Sequence, residues 1–422
     1  MNWIKNFDSL ATTENRKLAL AVAEVGLGAI NTEDVILNSI KLEDNVLSIM
    51  GEVFDLSKFK NIKVIGFGKA SCAAALALEK VLGSKIGKGA VIGLEKATTQ
   101  HIETFIGTHP CPSEQNIEAG KKIYEIIKDS SEEDLIIVLV SGGGSALLCY
   151  PENEYIQGAK LYDAFLKTGK TITEMNTVRK HLSLFKGGGL AKIAYPATII
   201  GLIFSDIPGD NFENVASGAT YKDASTIADA KKIISENNLG EFDLVETPKE
   251  DKYFEKVHNF VLVSNKTAME AMIKKGKELG LKTKIVSTEL YDEAKTALPK
   301  IFSVKEDEVL VLAAGEPKIE VKDKSGKGGR NLHMGLEAIQ MKLVDDNSVF
   351  ISLASDGMDN SDAAGVVVDK NTIEKAEKLG LNIDDYLNRF DSYTFFQKTG
   401  DIIMTGPTGA NVSDLMILLT KK

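Results

Sequence analysis

Short apolar runs recur along the chain, and polar segments with a helical period separate many of them. The runs are rich in Val, Ile and Leu, as in "KVIGF" (63–67), "LIIVLV" (135–140), "VLVLAA" (309–314) and "VFISLA" (349–354). One intervening segment, "SEQNIEAGKKIYEIIKD" (113–129), places its apolar residues on one helical face and lysines on the other. Strands that are apolar throughout and alternate with helices predict an α/β fold with mostly parallel sheets.

The length of the chain indicates more than one domain. At 422 residues it exceeds what one ordinary hydrophobic core accommodates. The segment "EFDLVETPKEDKYFEK" (241–256) is charged, contains a proline and has no sustained period, as is usual for a linker. We therefore expect an N-terminal domain over residues 1–245 and a C-terminal domain over residues 246–422.

The charge and the cysteines narrow the class of protein. The formal net charge is -10, which does not favour nucleic acid or an anionic membrane as a partner. No apolar run approaches the roughly 20 residues of a membrane span, and the N-terminus lacks the apolar region of a signal peptide. Cys72, Cys111 and Cys149 form no CxxC pair, which favours a reducing cytoplasm over a disulfide framework or a zinc site.

Three consecutive glycines interrupt the segment "LVSGGGSALL" (139–148) directly after an apolar run. Gly142, Gly143 and Gly144 would let backbone N–H groups approach an anion closely, and phosphate is the natural anion for such a turn. A tight strand-to-helix turn is the alternative for this segment alone. The named phosphate motifs do not fit, because "GFGKAS" (66–71) is neither a Walker A loop nor a complete GxGxxG.

Other apolar runs also end in polar turns that contain glycine. These turns are Gly68–Ser71, Ser141–Ser145, Ser205–Asp210, Ser355–Asp359 and Thr405–Asn411. Ligands of α/β sheets bind at the carboxyl ends of the strands, so such turns would meet along one edge of a sheet. A single turn of this kind is structurally routine, whereas a set of them indicates a binding site.

Cations stand beside several of these special backbone segments. Lys69, Arg179 and Arg330 each adjoin one, and Lys186 precedes a second glycine triplet. Arginine can bind a carboxylate or a phosphate through a bidentate fork. We interpret all four as candidate site residues.

Carboxylates follow the predicted strand ends as well. Asp206 and Asp356 could hold Mg²⁺ or accept a proton from an alcohol, and we interpret both as site residues. Helix capping or turn formation is the alternative for each, and for Asp210 and Asp359 the two interpretations stay open. The sequence has no HExxH and no GxSxG, which argues against a zinc hydrolase and a serine hydrolase.

Taken in order, the motifs resemble those of the glycerate 2-kinase family, the two-domain type whose C-terminal part is the MOFRL domain. The motifs are "GFGKAS", "THPCPSEQN", "LVSGGGSALL", "EMNTVRKHLSLFKGGGLA", "SDIPGDNFENVASGATYKD", "GKGGRNL", "ASDGMDNSDAAG" and "TGPTGANVSDL". The resemblance extends from about Val64 to Leu415, and the order and spacing of the motifs make it specific.

The resemblance implies an ATP-dependent kinase that converts D-glycerate into 2-phosphoglycerate with Mg²⁺ or a similar divalent ion. It also implies a larger, Rossmann-like N-terminal domain, a smaller α/β C-terminal domain and an active site in the cleft between them. The family's invariant lysine matches Lys69, and its site arginine matches Arg330. After Asn331 the family usually has Gln-Glu, whereas this chain has Leu332 and His333.

We expect the glycine-bearing turns to cradle the phosphates of ATP through backbone N–H groups. The residues concerned are Ser141, Gly142, Gly143, Gly144, Ser145, Thr405, Gly406, Thr408 and Asn411. Lys69 and Arg330 would offset the negative charge that builds up on the transferred group.

We expect the acid and the metal to be held by the remaining candidates. Arg179 or Lys186 would bind the glycerate carboxylate, and Mg²⁺ would lie near Asp206 or Asp356. Asp206, by preference, would orient or deprotonate the 2-hydroxyl.

Two other functions stay open at this point. A hydroxypyruvate reductase would handle a similar acid, but the absent GxGxxG and ribose-binding acid argue against it. A non-catalytic protein that binds a nucleotide or a sugar acid is the second alternative. The spacing of the motifs sets neither the position of phosphorylation nor the oligomeric state, and a homodimer is compatible with the sequence.

Overall fold

The computed structural model describes residues 2–166, 172–209, 211–321 and 325–422. The chain forms two units, each built around its own hydrophobic core. The larger unit consists of residues 32–207 and 211–262, and the smaller unit consists of residues 1–31, 208–210 and 263–422.

Helices and strands alternate through most of the chain, as the apolar pattern predicts. Up to the end of the larger unit, the elements are α1 (Phe7–Leu10), α2 (Glu14–Ala29), α3 (Thr32–Ser39), β1 (Ile40–Glu43), β2 (Val46–Ile49), β3 (Glu52–Asp55), β4 (Asn61–Phe67), α4 (Ser71–Leu82), β5 (Ile86–Gly93), β6 (Ile102–Ile106), α5 (Glu114–Ile127), β7 (Asp134–Ser141), α6 (Gly144–Leu147), α7 (Glu152–Leu166), α8 (Ile172–Lys180), α9 (Gly189–Ala194), β8 (Thr198–Phe204), α10 (Ile227–Glu236) and β9 (Val257–Val263). Short 3₁₀ helices cover Leu56–Lys58, Gly83–Lys85, Phe212–Ser217 and Asp251–Tyr253. The helix predicted within 113–129 is α5, which begins with a capping box between Ser113 and Asn116.

The second half of the chain continues the alternation. Its elements are α11 (Asn265–Glu278), β10 (Lys282–Leu290), α12 (Ala294–Ser303), β11 (Val309–Gly315), α13 (Arg330–Gln340), β12 (Ser348–Ala354), β13 (Gly365–Val368), α14 (Lys370–Lys378), α15 (Ile383–Asn388), α16 (Ser392–Thr399), β14 (Ile402–Ile403) and β15 (Asp414–Thr420). No helix in the described part of the chain combines the length and the apolar character that a membrane crossing requires.

The sheet of the larger unit has the strand order of a Rossmann fold. Its order is β6-β5-β4-β7-β8-β9, and the pairs β5–β6, β4–β5, β4–β7 and β7–β8 are all parallel. Numbered along the chain, this is the order 3-2-1-4-5-6, which reverses direction between β4 and β7. Ligands of such sheets bind beyond the carboxyl ends of the strands at that reversal. A separate antiparallel sheet contains β1, β2 and β3.

The sheet of the smaller unit is mixed. Its order is β10-β11-β15-β12-β13-β14, with β10 parallel to β11 and β15 antiparallel to both β11 and β12. Asp414, the first residue of β15, therefore pairs with Gly315 and Ala354 at the carboxyl ends of its two neighbours. Together the two sheets confirm the predicted α/β class.

The boundaries of the two units differ from the expected domains 1–245 and 246–422. The division falls after residue 262, and the first 31 residues belong to the smaller unit. Helix α2 explains the second difference, because it packs on β12 and β15. Its buried Arg16 donates hydrogen bonds of 2.7 Å to Asp369 and 2.8 Å to Asp401. These partners lie more than 350 positions away in the sequence, so local patterns could not reveal them.

Candidate functional site

In the larger unit, the turns after β4 and β7 are joined to each other at the point where the strand order reverses. The backbone N–H of Lys69 donates to the carbonyl of Gly142 at 2.8 Å, and that of Ala70 donates to Ser141 Oγ at 3.0 Å. Gly68 has φ +120°, and a Cβ there would overlap Ser141. Only glycine fits this conformation and this close approach. Two turns that the sequence predicted separately are therefore one structure.

The glycine triplet is also closely approached by side chains. A Cβ on Gly142 would overlap the carboxylate of Asp206, and a Cβ on Gly143 would lie 3.2 Å from Lys69 Cγ and 3.3 Å from His109 Nε2. Burial lowers the pKa of His109, and Lys69 and Arg179 lower it further. The turn thus brings together a carboxylate, an exposed lysine and a histidine that stays neutral at neutral pH.

A chain of polar contacts leads from the triplet to Arg179. Ser145 Oγ lies 2.7 Å from Ser217 Oγ, which donates to Asn176 Oδ1 at 3.4 Å, and Arg179 donates to the same oxygen at 3.0 Å. Ser217 is buried and has φ +59°, a conformation that costs a non-glycine residue on the order of 1–3 kcal/mol. Such strain is common where a side chain must be held in place for function.

A small pocket adjoins this chain of contacts. Ser145, Glu154, Tyr162, Arg179 and Lys186 are among its lining residues. The amine of Lys186 is buried and donates to Glu154, to the carbonyl of Leu148 at 2.8 Å and to Ser183 Oγ at 3.4 Å. Burial lowers the pKa of Arg179, and the negative charge of Glu154 opposes this shift. With one carboxylate for two cations, the pocket suits a small monoanion.

In the smaller unit, the candidate arginine lies at the start of α13 and contacts a carboxylate at the start of β15. Arg330 Nη1 donates to Asp414 Oδ2 at 2.9 Å and lies 3.6 Å from Glu316 Oε2. Asn331 Nδ2 donates to Asp414 Oδ1 at 2.9 Å. Burial raises the pKa of Asp414 to about 7, although Arg330 and Asn331 favour the ionised form.

Asp359 caps the same helix. Its carboxylate accepts hydrogen bonds from the backbone N–H groups of Asn331 at 3.0 Å and Leu332 at 2.8 Å. Burial raises the pKa of Asp359, and those two bonds oppose the shift. Of the two interpretations left open for Asp359, the structure shows the capping role.

The turn after β12 and the turn 405–411 are packed together. The backbone N–H of Thr408 donates to the carbonyl of Asp356 at 3.1 Å, and the Thr408 hydroxyl donates to the carbonyl of Ser355 at 2.6 Å. Ser355 Oγ donates to Asn411 Oδ1 at 3.4 Å, and the Asp356 carboxylate accepts from the N–H of Met358 at 3.1 Å. Asp356 therefore forms a turn, and its carboxylate retains one oxygen for which no contact is shown in the described part of the chain.

A magnesium ion at this site would be bound by separate carboxylates and not by a cluster of ligands. Within the described residues, no group of three or more His, Cys, Asp and Glu side chains is arranged to hold a metal. Mg²⁺ is commonly held by one or two carboxylates together with substrate phosphates and water, so this chain does not need a cage of its own. Asp206, beside the glycine triplet, meets that requirement.

The sequence predicted most of the residues that the structure brings together, but it missed others. Lys69, Asp206 and the glycine triplet converge in the larger unit, and Asp356 meets the turn 405–411 in the smaller one. Glu154, Tyr162, Asn331 and Asp414 were missed. The motif "TGPTGANVSDL" carried the signal for Asp414, because this aspartate stands near its end, directly before an apolar run. Asp210 lies outside the described residues.

The strand order defines an α/β protein whose larger sheet has a reversal point of the Rossmann type. Comparison with known proteins narrows this class. Residues 18–246 match the family model described as a domain of unknown function, DUF4147, and residues 309–414 match the MOFRL family. A glycerate 2-kinase from Pyrococcus horikoshii is 34% identical over 437 residues, which cover 95% of this chain and 98% of the relative.

A solved structure shows the same architecture. The crystal structure of glycerate kinase from Thermotoga maritima superposes with a TM-score of 0.85 at 30% identity and covers 96% of this chain and 99% of that one. A protein from Agrobacterium vitis, provisionally named a hydroxypyruvate reductase, is 34% identical over 84% of this chain and 86% of its own length. The chain belongs to the glycerate 2-kinase family with a C-terminal MOFRL domain.

Proposed function

We propose that this chain transfers a phosphoryl group from ATP to the 2-hydroxyl of D-glycerate, giving 2-phospho-D-glycerate and ADP. The observation that supports it most is the joined turn at the reversal of the larger sheet, where Gly142 and Gly143 let Asp206 and Lys69 lie close to the main chain. Phosphoryl transfer requires mainly positioning and stabilisation of negative charge, and this turn supplies both.

The phosphates of ATP bind to the turn 141–145, where backbone N–H groups face the anion. Lys69 offsets the charge on the transferred group, and its backbone is fixed by the hydrogen bond to Gly142. Thr405, Gly406, Thr408 and Asn411 form a second phosphate-binding turn, and Arg330 is a second cation.

The glycerate carboxylate binds to Arg179 in the pocket of the larger unit. Arg179 is preferred over Lys186, because Lys186 is already occupied by Glu154 and by two further acceptors. The hydroxyls of Ser145 and Tyr162, which line the same pocket, are available for the hydroxyls of a small sugar acid.

Asp206 takes the proton of the 2-hydroxyl as the oxygen attacks the terminal phosphorus. Its carboxylate lies against Gly142, next to the proposed phosphate site. Mg²⁺ would be held by Asp206 and by phosphate oxygens, and it would neutralise part of the phosphate charge.

The decisive experiment identifies the product. Purified protein is incubated with D-glycerate, ATP and Mg²⁺, and ³¹P and ¹H NMR show whether the phosphate is on the 2-position. Formation of 3-phosphoglycerate would contradict the proposed position, and absence of ADP would contradict the reaction class.

Two variants test the assigned cations. Lys69→Ala and Arg330→Ala should each reduce kcat/KM by at least ~10²-fold, the scale for loss of one preorganised charge contact. Normal turnover in either folded variant would remove that residue from the mechanism.

The reductase alternative makes a separate prediction. It requires consumption of NAD(P)H with hydroxypyruvate, which a spectrophotometer detects directly. The segment 66–71 has Ser71 where the dinucleotide motif has its last glycine, so we expect no oxidation of NAD(P)H.

A further inference from the structure

Arg330 is held by Asp414, a carboxylate that was not among the candidate residues predicted from the sequence. Arg330 and Asn331 are the first two residues of α13, and each donates to one oxygen of Asp414 at 2.9 Å. Both oxygens of Asp414 are therefore engaged by neighbouring residues of one helical turn. Asp414 itself is fixed, because it pairs with Gly315 on one side and Ala354 on the other.

The amide of Asn331 is oriented for this contact. The hydroxyl of Ser352 donates to Asn331 Oδ1 at 2.6 Å, which directs Nδ2 toward the acids. That nitrogen donates to Asp414 at 2.9 Å and to Asp359 at 3.3 Å. All these side chains except that of Arg330 are buried, so the arrangement cannot relax into solvent.

A second carboxylate near Arg330 provides an internal comparison. Glu316 lies 3.6 Å from Arg330 and its side chain is 45% exposed, whereas Asp414 lies at 2.9 Å and is 10% exposed. Exposed ion pairs contribute little, because water and salt screen them. Distance and burial therefore identify Asp414, and not Glu316, as the group that fixes the guanidinium.

We propose that Asp414 is a positioning residue, which holds Arg330 in the orientation that the phosphoryl transfer requires. A guanidinium has five N–H donors, and the contact with Asp414 uses one of them. The others remain for the phosphoryl oxygens. The assignment of Arg330 to the phosphoryl group rests on the proposed function, whereas its orientation by Asp414 does not.

The ionisation of Asp414 gives this arrangement a pH dependence. Burial raises the pKa of Asp414 to about 7, Arg330 and Asn331 lower it, and Asp359 and Glu316 raise it. Asp414 accordingly gains a proton as the pH falls below neutrality, and its charged contact with Arg330 is lost.

The kinetic test uses Asp414→Asn and Glu316→Gln. In Asp414→Asn an amide nitrogen replaces one of two oxygens that both face donors, so Arg330 or Asn331 loses its partner. We expect kcat to fall at least ~10-fold while KM for D-glycerate changes less, because a contact with the transferred group acts mainly in the transition state. We expect the decline of wild-type kcat below about pH 7 to be absent in Asp414→Asn, and Glu316→Gln to stay within about twofold of wild type.

A second test does not depend on kinase activity. The arginines of the chain are Arg16, Arg179, Arg330 and Arg389. Modification by phenylglyoxal, followed by peptide mass spectrometry, measures how accessible each guanidinium is. Relative to Arg389 in the same molecule, Arg330 should react several-fold faster in Asp414→Asn than in wild type, and at the wild-type rate in Glu316→Gln.

The outcomes separate the two proposals. Faster modification of Arg330 in a protein without kinase activity would support the positioning role and contradict the proposed function. Wild-type kcat and unchanged modification in folded Asp414→Asn would overturn the positioning role. If Asp414→Asn does not fold, Ser352→Ala replaces it: loss of the donor that orients Asn331 should accelerate Arg330 modification in the same direction, and an unchanged rate would overturn the proposal.

Discussion

The two candidate cations, Lys69 and Arg330, are held in opposite ways. Lys69 is exposed, and among the described residues its amine has neither a hydrogen bond nor an ion pair, while its backbone is tied to Gly142. Arg330 is 33% exposed and its guanidinium is tied to Asp414. The side chain of Lys69 can adjust to a ligand, whereas the guanidinium of Arg330 is held in one orientation.

The surroundings of the two cations also differ, in whether main chain or side chains shape them. The site of the larger unit is shaped by main chain, since glycines at 68, 142 and 143 allow two turns and a carboxylate to approach one another. The site of the smaller unit is shaped mainly by buried side chains that Asn331 links. The first site should therefore be sensitive to added atoms and the second to changes of functional group.

The largest expected effect comes from exchanging the two types of cation. Arg330→Lys should reduce kcat/KM by at least ~10²-fold, almost as much as Arg330→Ala, because an ammonium cannot contact Asp414 and the phosphoryl group with a planar fork. Lys69→Arg should retain activity within about tenfold, since Lys69 has no partner geometry to preserve. Steady-state kinetics with D-glycerate and ATP measures both.

The opposite ranking would contradict the comparison. If Lys69→Arg were inactive and Arg330→Lys active, the fixed cation would be the lysine. Circular dichroism and thermal unfolding of both variants would establish that each is folded.

The next largest effect concerns the main chain. Gly142→Ala adds a methyl group that overlaps the Asp206 carboxylate, so the turn or the aspartate must shift. A displacement near 1 Å at a reacting group can cost on the order of 10²-fold in rate, and we expect a loss of kcat/KM on that scale.

Gly87→Ala is the matched control for the glycine variant. Gly87 is exposed in β5, and the nearest atom to an added Cβ there is the Ile62 carbonyl oxygen at 3.6 Å. Its kinetics should equal those of wild type. Equal kinetics for Gly142→Ala would show that the triplet is only a structural turn.

The sequence predicted the fold well because the information is local. Apolar runs such as 135–140 and the amphipathic segment 113–129 lie in single elements, β7 and α5, and their periods determine the type of each element. The sequence did not reveal that α2 belongs to the smaller unit, because the information is not local. The partners of Arg16 are remote in the sequence, and no period of α2 specifies which sheet it covers.

For the site, the sequence predicted the residues of the glycine-rich turns. It missed the polar residues whose contacts arise only when the fold buries them. Gly142 and Lys69 belong to patterns that can be recognised in the sequence alone. Asp414 differs from other aspartates only because β15 lies between β11 and β12 in the sheet. Glu154 is similar, because only the fold places it against Lys186. The family was predicted from the order of the motifs, and the comparison confirms it. The position of phosphorylation and the roles of individual residues remain predictions.

A smaller effect concerns stability against pH. Asp414 has its pKa raised from 3.8 to about 7 in the folded protein, so between these values the folded state binds more protons than the unfolded state. The resulting contribution to the free energy of unfolding is fully present below pH 3.8 and is lost as the pH rises through about 7. The loss is no more than about 1.4 kcal/mol per pH unit. The melting temperature of wild type relative to Asp414→Asn should therefore fall between about pH 5 and pH 8. A difference that rises with pH would show that the raised pKa is wrong.

The smallest effect is expected at His109, the titratable neighbour of Lys69. Its pKa lies below the usual 6.5 because burial and two nearby cations disfavour the imidazolium, so His109 is neutral at the pH where Asp414 titrates. His109→Gln should change kcat/KM at pH 8 by far less than the ~10²-fold that loss of an acid–base group costs, because no charge is removed at that pH. Wild type and variant should also share the decline near pH 7 and diverge only at lower pH. We expect the group that ionises near neutrality to be Asp414, in the smaller unit. If the decline disappeared in His109→Gln and persisted in Asp414→Asn, the titrating group would instead belong to the larger unit.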